Sequence, residues 1–209
     1  MASHVIVFGG SSGIGEAVAR TFAASGARVA IVGRDPQKLD AARERLPGGV
    51  TAKAADAMDR GAVEALFAEL GRFDHLVLCL SGGKGGGPFR QLAIADVRSG
   101  LEHKLLAQLS VAQASLATLA AAGSITFVSS ASARMAIAGT TGLAAINAGI
   151  EAAVRTLALE LAPIRVNAVS PVRRVGHPED VAAAIAMVAT NGFMTGTVLA
   201  VDGGAPLAR

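Results

Sequence analysis

Val5-Ile6-Val7-Phe8-Gly9-Gly10-Ser11-Ser12-Gly13-Ile14-Gly15 is the stretch whose reading decides the fold. A short apolar strand enters a glycine turn, and the turn runs into a helical pattern. Glycines let the backbone turn tightly and approach a ligand with no Cβ in the way. The following helix offers unpaired N–H groups and the positive end of its dipole to an anion. Strand, glycine turn and helix form an arrangement that binds the phosphates of a dinucleotide. The expected cradle is Gly9, Ser11, Ser12, Gly13, Ile14 and Gly15.

The same alternation continues outward from this unit. Further strands are expected at Arg28–Val32, Val50–Ala54, His75–Leu80, Ser124–Val128, Arg165–Val169 and Thr197–Val201. Helical patterns fall at Ile14–Ser25, Pro36–Leu46, Arg60–Leu70, Ile94–Ala121, Gly142–Leu161 and Pro178–Ala189. The strands are apolar on both faces, which suits a parallel sheet covered by helices on each side. The expected fold is α/β: a single Rossmann-like domain over residues 1–209, with a doubly wound, seven-stranded parallel sheet. Ser81-Gly82-Gly83-Lys84-Gly85-Gly86-Gly87 follows the fourth strand at the ligand end of such a sheet. The plain reading of this run is a flexible connector. Gly85 after Lys84 excludes a phosphate loop of the GK[ST] kind.

Composition bounds the alternatives. The chain is 52% hydrophobic and 17% charged, with mean hydropathy +0.49, so it has ample material for a core and is not a disordered segment. Its apolar runs are short and interrupted, so no bilayer span is expected. The first strand begins almost at once, which leaves no room for a signal peptide. Cys79 is the single cysteine, which excludes a disulfide framework and suggests a reducing cytoplasm. Basic residues are scattered, with only Arg173 and Arg174 adjacent, and there is no tyrosine or tryptophan to stack on bases. The net charge of +3 therefore reads as a solvated surface, without nucleic-acid binding.

Gly9-x-x-x-Gly13-Ile14-Gly15 resembles the motif of the short-chain dehydrogenase/reductase (SDR) family, and further segments match in order. They are Val32-Gly33-Arg34-Asp35, Asp56, Ser129-Ser130, Leu157-Ala158-Leu159-Glu160-Leu161, Arg165 to Pro171, Gly176-His177-Pro178-Glu179-Asp180 and Val201-Asp202-Gly203-Gly204. The resemblance covers essentially the whole chain. It implies a nicotinamide dinucleotide cofactor, a small-molecule carbonyl or alcohol substrate, and a homodimer or homotetramer. Gly33 stands where NAD-preferring members carry an acid for the ribose 2′-hydroxyl, and Arg34 follows with a guanidinium suited to a 2′-phosphate. NADP(H) is therefore the expected cofactor, against an alternative in which Arg34 is only an exposed loop residue. By resemblance Asp56 and Ala57 flank the adenine, although Asp56 reads equally as a turn cap. Leu80, Ser81, Gly82 and Pro171 would lie along the nicotinamide ribose.

The catalytic pattern departs from the family. Its usual asparagine, serine, tyrosine and lysine become Lys104, Ser130, Leu143 and Asn147 in this register, with Ser130 thirteen positions ahead of Leu143. The lysine and asparagine have exchanged helices. In this the chain resembles a divergent branch with a similar lysine and a similar Ala144-Ala145-Ile146-Asn147-Ala148 segment. Leucine can neither donate a proton nor hold a ribose. Asn147 is expected to bond a ribose hydroxyl. Lys104 is expected to supply charge or a proton to a carbonyl oxygen, as a desolvated lysine can. The competing readings are a solvated lysine at 104 and a serine at 130 that only bonds local backbone. Only Val172 to Val175 separate Pro171 from Gly176, so the family's substrate loop is missing. Three functions stay open: a reductase with a rearranged proton donor, a nucleotide-binding protein without redox chemistry, and a non-redox dehydratase, isomerase or cyclase.

Overall fold

A computed structural model describes residues 2–172 and 176–205. Its strands are β1 (His4–Phe8), β2 (Arg28–Gly33), β3 (Val50–Ala54), β4 (Phe73–Leu78), β5 (Leu119–Val128), β6 (Arg165–Pro171) and β7 (Val198–Val201). They form one sheet in the order β3-β2-β1-β4-β5-β6-β7, with every neighbouring pair parallel. The helices are α1 (Gly13–Ala24), α2 (Pro36–Arg45), α3 (Arg60–Leu70), α4 (Ile94–Gly100), α5 (Ala107–Ser115), α6 (Thr141–Glu160) and α7 (Pro178–Thr190).

Alternation along β1 shows why the strands read as unbroken apolar runs. Val5 and Val7 enter a core with Val18 and Phe22 of α1 and Ile185 of α7. Ile6 and Phe8 enter the opposite core with Phe67 of α3, Val111 of α5 and Ile150 of α6. Both faces are buried, so from Val5 to Phe8 neither carries a polar residue. The order of strands reverses between β1 and β4, and a doubly wound sheet binds its ligand at that switch. Phe8 lies opposite Val32 and Leu78, Leu78 opposite Phe127, and Val128 opposite Val169. The segments after these strands therefore emerge together at one edge.

The helix expected over Ile94–Ala121 is divided and shorter. A π-helical turn, Leu101–Leu106, joins α4 to α5, and α5 ends at Ser115. There Ser115 Oγ turns back to donate to Ala112 O at 2.7 Å, and Thr118 N–H bonds Ser115 O at 3.0 Å. The alanine-rich run over 117–122 favours helix by propensity, but pairing of Leu119 with Phe73 and its burial draw it into β5. β4 also begins at Phe73 and ends at Leu78, which leaves Leu80 in the loop. Against the expectation of short apolar runs, the 20-residue α6 is long and apolar enough to cross a membrane, with mean hydropathy 1.2 over an 18-residue stretch. Its Ile146, Ile150 and Val154 are fully packed inside the domain, as in the core helix of a sheet protein.

Candidate functional site

The turn after β1 needs its glycines for contact. At Gly9, with φ of +79°, a Cβ would stand 2.6 Å from Cys79 O. At Gly15 it would stand 2.1 Å from Gly9 O, so α1 rests directly on the turn. Gly13, with φ of +54°, faces open space. Ser12 precedes α1 in extended conformation, and no side chain caps the first turn. An open backbone cradle at the N-terminus of a 12-residue helix fits a pyrophosphate. Ile14 is half-buried behind it against the α1 and α7 core.

The second strand ends beside this cradle. A Cβ on Gly33 would lie 3.8 Å from Ser11 Oγ, and Arg34 is exposed just beyond. Asp35 caps α2 by accepting from Gln37 N–H and Lys38 N–H, which leaves Arg34 as the group facing outward from the turn. Asp56 is exposed, and its Oδ1 accepts from Met58 N–H at 3.0 Å. It therefore makes the turn its sequence suggests, while Oδ2 remains for another donor. Ala57 beside it is buried.

Lys104 and Asn147 meet across the crevice. Lys104 lies in the π-turn, and its Nζ donates to Asn147 Oδ1 at 2.7 Å and to Ser129 O at 3.3 Å. π-turns arise where a helix must re-aim one residue, often at a functional site. Asn147 is 2% exposed, and its Nδ2 donates to Leu143 O at 2.8 Å and Ser132 Oγ at 3.1 Å. Both amide protons are thus taken, and Oδ1 keeps one lone pair beside the bond from Lys104, so a ribose hydroxyl could meet Asn147 only as a donor to that oxygen. Its place in this network is to hold the Lys104 ammonium. Ser130 is half-buried at the end of β5, immediately after the carbonyl that accepts from Lys104. Burial pushes the nearby Cys79 thiol up to about 12, with Lys104 drawing it partly back, so it stays neutral.

The glycine run is not a loose connector. A Cβ on Gly82 would be 3.4 Å from Lys104 Cβ and 3.0 Å from Gly100 O. Gly85 O accepts from Leu143 N–H at 3.1 Å, and Gly87 N–H bonds Gly139 O at 2.8 Å. Gly86 lies against the Leu143 side chain, where a Cβ would be 3.3 Å from Cδ1. The loop is wedged between α4 and α6 and seats the segment that bears Lys104. Ser81 remains exposed at its start, while Leu80 O accepts from Gln108 Nε2 at 3.3 Å. Gln108, one turn after Lys104, also reaches Val128 O at 3.4 Å and so clips the ends of β4 and β5 together. Pro171 is buried as the last residue of β6. Arg173, Arg174 and Val175 of the shortened segment lie outside the described residues.

The sequence profile described as enoyl-(acyl carrier protein) reductase matches residues 9–173. This chain belongs to the SDR family. Among SDR relatives it is 33% identical to a 3-oxoacyl-[acyl-carrier-protein] reductase of Bos taurus, over 96% of this chain and 97% of that protein. It is 32% identical to a cis-4-hydroxycyclohexanecarboxylate dehydrogenase of Sinomonas cyclohexanicum, over 95% of this chain and 94% of that one. A solved SDR structure superposes with a TM-score of 0.90 at 29% identity, covering 99% of this chain and 98% of the other. The seven-stranded parallel sheet is thus an SDR fold, and an oxidoreductase is what the relatives support. Three residues of this SDR site escaped the sequence reading: Ser132, Gln108 and Glu151. Two carry a signal in helical spacing, since Gln108 follows Lys104 and Glu151 follows Asn147 by one turn.

Proposed function

We propose that the chain is an NADP(H)-dependent oxidoreductase of a small carbonyl or alcohol, in which Lys104 replaces the family's tyrosine as proton donor. The observation that carries this reading is the Lys104 Nζ to Asn147 Oδ1 bond of 2.7 Å at the carboxyl edge of the sheet, beside Ser130. The lysine of one helix and the asparagine of the other exchange positions and still meet. The glycine cradle fits the pyrophosphate, and Gly33 with Arg34 favours a 2′-phosphate over a 2′-hydroxyl. The reduced nicotinamide, when bound, supplies the hydride. Lys104 holds a proton at Nζ for the substrate oxygen and returns to ammonium from water. Ser130 orients that oxygen by donating from its hydroxyl. Asn147 and Ser129 O fix the ammonium, so little reorganisation is needed as charge develops.

A second reading keeps the nucleotide and drops the chemistry. It is favoured by Leu143, an apolar side chain covered by Gly86 where the family places its acid. One experiment separates the two: NADPH binding by calorimetry, then NADPH oxidation against a panel of ketones and aldehydes. Lys104→Met should lower turnover by at least about a hundredfold, the scale of a lost general acid, with NADPH affinity nearly unchanged. NADPH binding with no turnover on any carbonyl would establish the non-redox reading. Turnover that survives Lys104→Met would assign the proton to water held by Ser130.

A further inference from the structure

Glu151 is a buried acid to which the proposed chemistry gives no part. It lies on the inner face of α6, one turn beyond Asn147, and is 5% exposed. Its Oε1 accepts from Ser129 Oγ at 2.9 Å and from Ser170 Oγ at 2.9 Å. Its Oε2 faces Arg134 Nε at 3.5 Å, from a side chain that is 43% exposed. A buried carboxylate costs several kcal/mol of desolvation unless it is well satisfied, so such a group is an expensive way to fill space. The two hydroxyls come from the carboxyl ends of β5 and β6, the two strands whose ends meet the crevice. Ser129 is the residue whose carbonyl accepts from Lys104 and whose neighbour is Ser130.

Asn147 and Glu151 together pin the segment that carries Ser130. Glu151 holds its start through Ser129, Asn147 holds its middle through Ser132, and Glu151 faces its end at Arg134. We propose that Glu151 is the positioning residue of this site: by holding Ser129 it aims the carbonyl that seats Lys104 and fixes where Ser130 presents its hydroxyl. The role is one of hydrogen-bond acceptance, so a glutamine, which keeps Oε1, can fill it, and an alanine cannot. This rests on the proposed role of Lys104, and its test reads the ammonium directly as well as the rate.

The experiment uses the full chain with 15N-lysine labelling. A hydrogen-bonded ammonium exchanges slowly enough to be seen, and the Lys104 signal is the one that disappears in Lys104→Met. In Glu151→Ala that signal should shift or broaden away, and in Glu151→Gln it should persist. Turnover should fall about tenfold in Glu151→Ala, the scale of one net hydrogen bond, with KM for NADPH within about twofold, and Glu151→Gln should recover most of the loss. Ser129→Ala should reproduce the alanine phenotype, which keeps the test valid if Glu151→Ala does not fold. An unchanged Lys104 signal in both folded alanine variants would overturn the proposal. A signal that moves in a protein with no carbonyl reductase activity would sustain the positioning role and overturn only the redox reading.

Discussion

Arg34 and Gly33 show how much a single residue decides. Gly33 offers no carboxylate to a ribose hydroxyl, and Arg34 stands exposed beside the phosphate cradle. Arg34→Ala should therefore weaken NADPH binding by about 1–3 kcal/mol, the scale of a charge-assisted hydrogen bond, and leave NADH binding nearly unchanged. Calorimetry with both cofactors checks this, and equal affinities in the wild type would contradict it. The glycine turn and the meeting of Lys104 with Asn147 were legible in the sequence, because glycines are enriched at the turn and each of the pair stands out at its motif position. The use of both Asn147 amide protons was not legible. It depends on Ser132 and on the Leu143 carbonyl, and no spacing rule predicts that a helix will spend both amide protons internally.

Among the elements, the glycine loop and α6 are a matched pair. A Cβ on Gly142 would stand 2.6 Å from Gly85 O and 3.0 Å from Val97 Cγ2. Gly142→Ala should therefore lift the loop and lose the Leu143 N–H bond, destabilising the fold by about 1–3 kcal/mol, the usual cost of overpacking. A lowered urea midpoint at constant slope is the expected result. At the opposite edge of the sheet, His75 of β4 bonds Ser124 Oγ through Nδ1 at 2.9 Å and stacks on Phe22. Burial holds its pKa below 6.5, with Asp74 opposing and Arg165 reinforcing the shift. The unfolded chain then takes up the proton first, so this contribution is complete above 6.5 and is lost as pH falls through the lowered folded value. His75→Gln should flatten the fall in urea midpoint as pH drops below 6.5. Strand and helix order could be read from periodicity. The end of α5 could not, because alanine favours helix until a strand partner competes for it.

For the whole molecule, the open question is association. Ile94 is 70% exposed, Leu159 83% and Phe193 fully exposed, on α4, on α6 and in the turn before β7. Apolar surface of this kind is what a second copy would cover. We expect a symmetric homodimer or homotetramer, with Leu159→Asp and Phe193→Asp each lowering the mass in solution. Light scattering at about micromolar concentration measures it, and a monomer mass near 20.8 kDa would contradict the expectation. Overall architecture was the most legible level, since regular alternation of apolar strands and helices leaves few other topologies. Association was the least, since an exposed leucine and a core leucine look alike in a sequence.

The π-turn at Leu101–Leu106 has a consequence for how this protein tolerates insertions and deletions. Ala107 N–H reaches back to Glu102 O, so this turn holds one more residue than an ordinary helical turn. Each residue added to a helix rotates everything after it by about 100°. Gly100 before the turn and Ala107, Gln108 and Val111 after it are all buried at their present angles. Deleting one residue here would turn the bulge into an ordinary helical turn and keep Val111 at its buried angle, whereas inserting one would swing Val111 toward solvent. The segment is free to drift in composition at His103 and Leu106, which face outward, and it tolerates a shorter turn better than a longer one. Single-residue insertions at this turn should therefore lower the urea midpoint more than single-residue deletions do.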